Sequence, residues 1–297
     1  MRKTAYLFLG VLVLGASLLL MKAFSGDVVL VNNFIVAGIS IHYYGLILGL
    51  ASLSAYILAR HRAEKYGITA SEVDDISMWV IISGFIGARF YHVVSSWDYY
   101  IFNPVEAFFV WNGGLSIFGA ILGGLVGLYF YRKFKNSNLK YFSILDWLAP
   151  SVILGQIIGR FGNLVNYEAY GIPTDLPWKM FVPLINRLSP YEAFEFFHPL
   201  FLYEALAGLL ILLILLNFSR LNKYLNLPRF SGQIFWLWIG LYGLVRIFTE
   251  YLRVDSPYLG SFKQNMLVAA LMVGVAVFLT IINIRNQKKV EHESIPS

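Results

Sequence analysis

The sequence predicts an all-α polytopic membrane protein, and three observations carry that expectation. Of its 297 residues, 58% are hydrophobic and only 13% charged, a composition outside the range of soluble domains. The apolar runs are long and continuous, whereas barrel strands alternate in polarity. Lipid leaves only helices and closed barrels as ways to satisfy a spanning backbone. Finally, the lysines and arginines gather in every second gap between the runs, as the positive-inside rule requires of a multi-pass protein.

The runs follow in order. Met1-Arg-Lys precedes an apolar stretch from Ala5 to Met21, and Ala23-Phe-Ser ahead of Gly26 resembles a signal cleavage site. Residues 1–25 thus read as a signal-like or extra transmembrane segment. Asp27 to Ile41 is mixed and fits the outer interface. His42-Tyr-Tyr-Gly opens a span to about Ala59, and Ile76 to Val94 is the next, with Arg89 inside it. Glu106 to Tyr131 is glycine-rich and broken by Asn112-Gly-Gly-Leu-Ser116. Ile144 to Ile158 ends at the motif Gly159-Arg-Phe-Gly-Asn-Leu-Val-Asn-Tyr-Glu-Ala-Tyr-Gly171. Residues 163–199 are the longest polar segment and read as a small extramembrane lid. Leu200–Phe218, Gly232–Thr249 and Gln264–Ile282 complete the spans, and 285–297 is a charged tail.

Fifteen of the 23 lysines and arginines sit in alternate loops or tails, at 2–3, 60–65, 132–140, 220–229 and 285–289. This places Asp27, the motif end and residues 163–199 on the outer side and the C-terminus inside. The net charge of +6 is therefore topological, and no nucleic-acid partner is expected. The chain has no cysteine, so it has neither a disulfide framework nor a thiolate of its own. The five histidines lack metal-ligand spacing, and no metal or cofactor is expected.

Arg89, Arg160 and Arg246 each lie near the outward end of a span. A charge inside a span costs on the order of 2.5–3.5 kcal/mol on insertion scales. Three of them at one depth suit an anionic headgroup, because arginine binds phosphate bidentately and stays charged when desolvated. Glu250 lies one turn after Arg246 on the same face and Tyr242 one turn before it, with Arg253 beyond. Snorkelling, or ion pairing with Glu168, Glu204 or Glu250, accounts equally well for any one of these arginines. His198 reads as a base, a donor or an interfacial residue. Tyr43, Tyr44, His42, Tyr91 and His92 fit an aromatic belt, and Asp146 reads as structural.

The motif from Gly159 to Gly171 resembles the signature of the prolipoprotein diacylglyceryl transferase family. His42-Tyr-Tyr-Gly45, Gly113-Gly-Leu-Ser116, His198-Pro with Leu202-Tyr-Glu204, and Arg246-Ile-Phe-Thr-Glu250 with Arg253 follow in the family's order. The likeness covers roughly residues 27–283. It implies a seven-helix transferase core in 26–284, with the N-terminal segment as an addition. It also implies an activity at the outer leaflet of the bacterial inner membrane. The diacylglyceryl group of phosphatidylglycerol passes to the lipobox cysteine of a prolipoprotein signal peptide, and glycerol phosphate is released. By the resemblance, Arg160 grips the lipid phosphate; Arg89, near the outward end of its span, and Arg253 are assigned a supporting place at the phospholipid. Asn163, Asn166, Glu168 and Gly171 shape the site, and Tyr44, His198, Arg246 and Glu250 complete it.

Two positions depart from the family pattern. Phe118 stands where the family has a histidine, and Lys263 precedes Gln264 where the family has glycine. Activation of the thiol then falls to the field of Arg160 and Arg246, or to His198, His92 or Glu250. A catalytically inactive relative that binds phospholipid or signal peptides is the alternative reading. A transporter is disfavoured, since the inner half of the spans lacks matching charges.

Overall fold

The computed structural model of the chain describes residues 14, 15, 17–36, 39–110, 114–135 and 138–293, without the side chains of 39, 117, 118 and 288–293. The structure is helical, as expected, with long helices α1 (Tyr43–Ala63), α2 (Ala70–Ser95), α3 (Ile117–Phe134), α4 (Tyr141–Asn166), α5 (Leu200–Leu216), α6 (Phe218–Tyr224), α7 (Gln233–Leu252) and α8 (Gln264–Glu293). Among the described residues, α1, α2, α4 and α8 are long and apolar enough to cross a membrane, and the α5–α6 pair, bent by 65°, is a fifth candidate. Three small antiparallel hairpins accompany them: Asn33–Val36 with Ile39–His42, Met180–Phe181 with Phe196–Phe197, and Tyr258–Leu259 with Phe262–Lys263.

Several boundaries differ from the sequence reading. The expected span from Glu106 begins as a short 3-10 turn at Pro104–Phe108, and regular helix starts only at Ile117. Pro104 starts that turn and Gly114 adopts φ +75°, a left-handed conformation that suits glycine and interrupts a helix. The motif helix does not stop at Ile158 but continues through Gly159 and Gly162 to Asn166. The stretch before His42 is a hairpin, and α6 occupies part of the basic loop after α5. The apolar stretch over residues 5–13 and the last four residues, 294–297, lie outside the described residues.

The chain divides into two compact units, 56–148 and 1–55 with 149–297. The first is organised on α2 against α3. A capping box of Thr69 and Glu72 starts α2. The two helices then approach through Gly84, Gly87, Gly119, Gly123 and Gly127, where any Cβ would strike the backbone or side chain of the other helix. Small residues allow such backbone contact in apolar surroundings, where packing replaces the hydrophobic drive. Arg62 donates to the carbonyl of Trp147 at 2.6 Å and the Trp147 indole to Ala59 at 2.8 Å. Asp146 is buried beside this pair, in keeping with its structural reading.

In the second unit α7 packs on both α5 and α8. The polar segment 167–199 has its own core: Tyr167, Tyr170, Met180, Val182 and Phe197 pack with Leu164 and Phe201. Leu20, Phe24 and Leu30 pack onto this cluster too. The Leu30 amide donates to the Tyr167 hydroxyl at 2.8 Å, and Phe24 meets Phe201 edge-on at 6.0 Å. The described part of the N-terminal segment is thus built into this unit's core.

Candidate active site

The site forms in the second unit where α4, α5 and α7 carry charge inside apolar helices. Arg160 projects from α4, Glu204 from α5, and Arg246 and Glu250 from one face of α7. Arg160 Nε pairs with Glu204 Oε2 at 2.7 Å. The other oxygen of Glu204 receives Arg246 Nη1 at 2.5 Å and the Thr249 hydroxyl at 2.9 Å. Arg246 Nη2 reaches Glu250 Oε2 at 2.5 Å, and Asn265 Nδ2 donates to Glu250 Oε1 at 3.0 Å. The result is an alternating chain, Arg160–Glu204–Arg246–Glu250, in which Glu250 is fully buried and Glu204 only 8% exposed. Breaking one member of such a buried chain leaves an uncompensated charge, which costs far more than an exposed pair is worth.

Arg160 is the open end. Its Nη2 donates to the Tyr242 hydroxyl at 3.2 Å and its Nε is taken by Glu204. Its Nη1 has no hydrogen-bond partner among the described residues, and 20% of its side chain is exposed. Arg253 is held by Asp255 through Nε–Oδ1 at 2.5 Å and Nη2–Oδ2 at 3.0 Å. It lies within electrostatic reach of Glu204 and Glu250.

The rest of the motif wraps around Arg160. Gly162 lies under the Tyr44 ring: a Cβ there would be 2.6 Å from Tyr44 Cδ2. The Tyr44 phenol is within electrostatic reach of Glu168 and Arg160. At the end of α4 the chain turns through Tyr167 (φ +51°) and Ala169 (φ +56°). Left-handed backbone costs a residue with a side chain roughly 1–2 kcal/mol, so the turn is imposed by its surroundings. It carries the Glu168 amide to the Asn163 carbonyl at 3.0 Å and the Glu168 carboxylate to Asn166 Nδ2 at 3.1 Å. Glu168 is the exposed carboxylate of the group.

Gly171 closes the arrangement. Its amide donates to His198 O at 2.9 Å, the next amide donates to Leu252 O at 2.8 Å, and Gly171 bridges Arg253. A Cβ at 171 would lie 2.8 Å from that of His198, so only glycine lets the three backbones meet. His198 carries its ring beside Tyr203. Its Nδ1 is 3.0 Å from the Tyr203 hydroxyl, which also accepts the Trp178 indole N–H at 2.7 Å. Burial lowers its affinity for a proton below the ordinary histidine value of 6.5.

Of the residues named from sequence, Tyr44, Arg160, Asn163, Asn166, Glu168, Gly171, His198, Arg246, Glu250 and Arg253 are all in this unit. Arg89 belongs to the other unit. It donates to the carbonyls of Ala107 at 2.8 Å, Gly114 at 3.0 Å and Glu106 at 2.5 Å, and it faces the Tyr100 ring at 5.4 Å. The side chain of Phe118 lies outside the described residues. Glu204 was visible in the sequence as a possible ion-pair partner and as the end of the Leu202-Tyr-Glu204 block, without a role of its own, although an acid inside an apolar helix is itself a signal. Thr249 and Asn265 carried no signal, and Lys263 was marked only as a departure from the family pattern. Among the described residues, no group of three or more His, Asp or Glu side chains is placed to hold a metal.

Residues 32–282 match the family model for prolipoprotein diacylglyceryl transferase. The chain belongs to the prolipoprotein diacylglyceryl transferase family. Among its relatives is the phosphatidylglycerol–prolipoprotein diacylglyceryl transferase of Thermotoga maritima, 38% identical over 256 residues, which cover 86% of this chain and 85% of the relative. Proteins of the same description from Fervidobacterium nodosum and Synechococcus elongatus are each 37% identical, covering 88% and 80% of this chain and 87% and 82% of theirs. Family membership thus spans both units, and the Arg160 motif lies inside the matched region.

Proposed function

We propose that the Arg160–Glu204–Arg246–Glu250 chain is the phosphate-recognising centre of a transferase that moves the diacylglyceryl group of phosphatidylglycerol onto a prolipoprotein. The observation that carries this is the open Nη1 of Arg160, on a guanidinium otherwise fixed by Glu204 and Tyr242. A fork held in place by two partners, with a donor left over, is preorganised for a phosphate oxygen.

The charge balance of the reaction suits that site. The substrate cysteine sulfur forms a C–S bond to the terminal diacylglyceryl carbon as the C–O bond to phosphate breaks. One negative charge leaves the thiolate and arrives on the phosphate, which departs as glycerol phosphate with a charge of about −2. Arg160 and, behind it, Arg246 stand where that charge grows. Stabilisation that strengthens only as the bond breaks lowers the barrier and does not merely tighten binding. Tyr44 lies within electrostatic reach of both Arg160 and Glu168, and Glu168 is the exposed residue of an otherwise largely buried turn, where the lipobox peptide would approach.

The thiol proton passes to water. Glu204 and Glu250 are engaged by arginines, and Nδ1 of His198 by Tyr203. The expectation that the arginine field alone ionises the thiol is weakened by the two interleaved carboxylates, since the four buried charges sum to zero. The thiol therefore keeps a pKa near about 8.5, and the rate rises along a single limb toward that value.

The enzyme is a multi-pass membrane protein. The basic loops assign it seven core spans in the inner membrane, with the motif turn and residues 163–199 outward. Single cysteines at Asn138 and Thr174 of this cysteine-free chain are then labelled from opposite sides; labelling from one side contradicts the orientation. The function is tested with purified protein, phosphatidylglycerol and a lipobox peptide, scored for the thioether product. Its absence across pH and lipid composition overturns the reading.

A further inference from the structure

Lys263 lies at the end of the Tyr258–Lys263 hairpin, immediately before α8. The hairpin turns at Gly260 (φ +61°) and returns the chain beneath the end of α7. There Lys263 Nζ donates to the carbonyls of Glu250 at 2.8 Å, Tyr251 at 3.2 Å and Arg253 at 2.5 Å. An ammonium has three donors and no acceptor, and all three are used. Lys263 therefore has no proton left for a phosphate, and it is not an anion-binding residue.

Its partners are two carbonyls of the last turn of α7, Glu250 and Tyr251, and that of the capping residue Arg253. The end of a helix is the negative end of its dipole, where a cation is favoured. Two residues further on, Asn265 Nδ2 holds the Glu250 carboxylate at 3.0 Å. Glu250 is thus fixed at both its backbone and its side chain by one short segment, 263–265. Through Glu250 the hold extends to Arg246, and through Arg253 to the strand-like contact with Gly171.

We propose that Lys263 and Asn265 form a two-point brace that sets the position of Glu250, and so of Arg246, during transfer. They are positioning residues, and the proposal rests on the phosphate-centre reading above. Lys263 stands at one of the two places where this sequence departs from the family pattern. Here that departure supplies a cap which glycine lacks.

The test is steady-state kinetics of purified protein with phosphatidylglycerol and a lipobox peptide, for wild type, Lys263→Met, Lys263→Arg and Asn265→Ala, with thermal unfolding recorded in parallel. A displaced catalytic group commonly costs on the order of tenfold or more in rate. The expected result is a loss of about that size in kcat for Lys263→Met, with KM for phosphatidylglycerol little changed, because Arg160 still binds the ground state. Lys263→Arg, which keeps a cation with several donors, restores most of the rate. Asn265→Ala lowers kcat as well, and its effect combines non-additively with that of Lys263→Met. Wild-type kcat in Lys263→Met overturns the brace. So does a loss confined to KM, or one that follows unfolding and is not rescued by Lys263→Arg. An inactive wild type would instead overturn the transferase reading itself.

Discussion

Two arginines buried in apolar helices, Arg89 and Arg160, meet opposite surroundings. Arg89 spends its fork on the backbone carbonyls of Glu106, Ala107 and Gly114. Arg160 is gripped by one carboxylate and one phenol and keeps a donor open. From sequence the two are alike: each is a lone cation in a hydrophobic run with glycines nearby. What separates them is the neighbouring acid. Glu204 and Glu250 supply the countercharge that lets Arg160 and Arg246 sit preformed before a ligand arrives. A guanidinium facing carbonyls ties a loop down, whereas one fixed by a carboxylate with a donor to spare can receive an anion.

The sharpest way to break this contrast is to remove the shared acid. Glu204→Ala leaves Arg160 without a carboxylate and Arg246 with Glu250 alone, and a loss of about 3–5 kcal/mol in stability is expected, together with loss of transfer. Thermal unfolding in detergent measures it, and a variant as stable as wild type would show that the chain is not a unit. Next comes Arg89→Met. It leaves several loop carbonyls without donors and should cost about 2 kcal/mol, yet leave the KM for phosphatidylglycerol unchanged in the protein that folds. A raised KM would return Arg89 to the headgroup.

Smaller effects refine the Arg160 side. Gly162→Ala pushes a methyl into the Tyr44 ring, and turnover should fall by roughly tenfold; a neutral result would remove Tyr44 from the pocket wall. His198→Gln should retain most of the activity. Burial lowers the proton affinity of His198 in the folded state below the ordinary value of 6.5. The unfolded chain therefore binds its proton first as pH falls, and wild-type stability declines through and below that value. His198→Gln should lose that part of the decline in urea titrations at several pH values, and both proteins should show one rising pH–rate limb. A second limb present only in wild type would make His198 the base.

The helices were legible because lipid imposes long apolar runs, and the chemistry at Arg160, Arg246 and Glu250 because charges in such runs are rare. The continuation of α4 to Asn166 was hidden by Gly159 and Gly162, which read as helix ends, although Gly162 serves close contact with Tyr44. The left-handed turn at Tyr167 and Ala169 has no sequence signal, since neither residue favours it. The contacts of Lys263 and Asn265 were invisible because their partners lie at the end of a helix that precedes them by a hairpin. Leu20 and Phe24 looked like part of a removable leader, but they pack into the 164–201 core. Intact mass of the purified protein is expected to include residues 1–25.

The central claim is that Arg160 holds the lipid phosphate with a fork preset by Glu204 and Tyr242. Its most direct test is the initial rate of thioether formation against phosphatidylglycerol concentration for wild type and Arg160→Lys. Lysine keeps the charge but not the planar, two-sided geometry. The predicted result is a fall of about 100-fold or more in kcat/KM, corresponding to about 2.7 kcal/mol of lost transition-state stabilisation, in a protein that still folds. Near wild-type rates at low lipid would contradict the guanidinium grip and place the phosphate elsewhere.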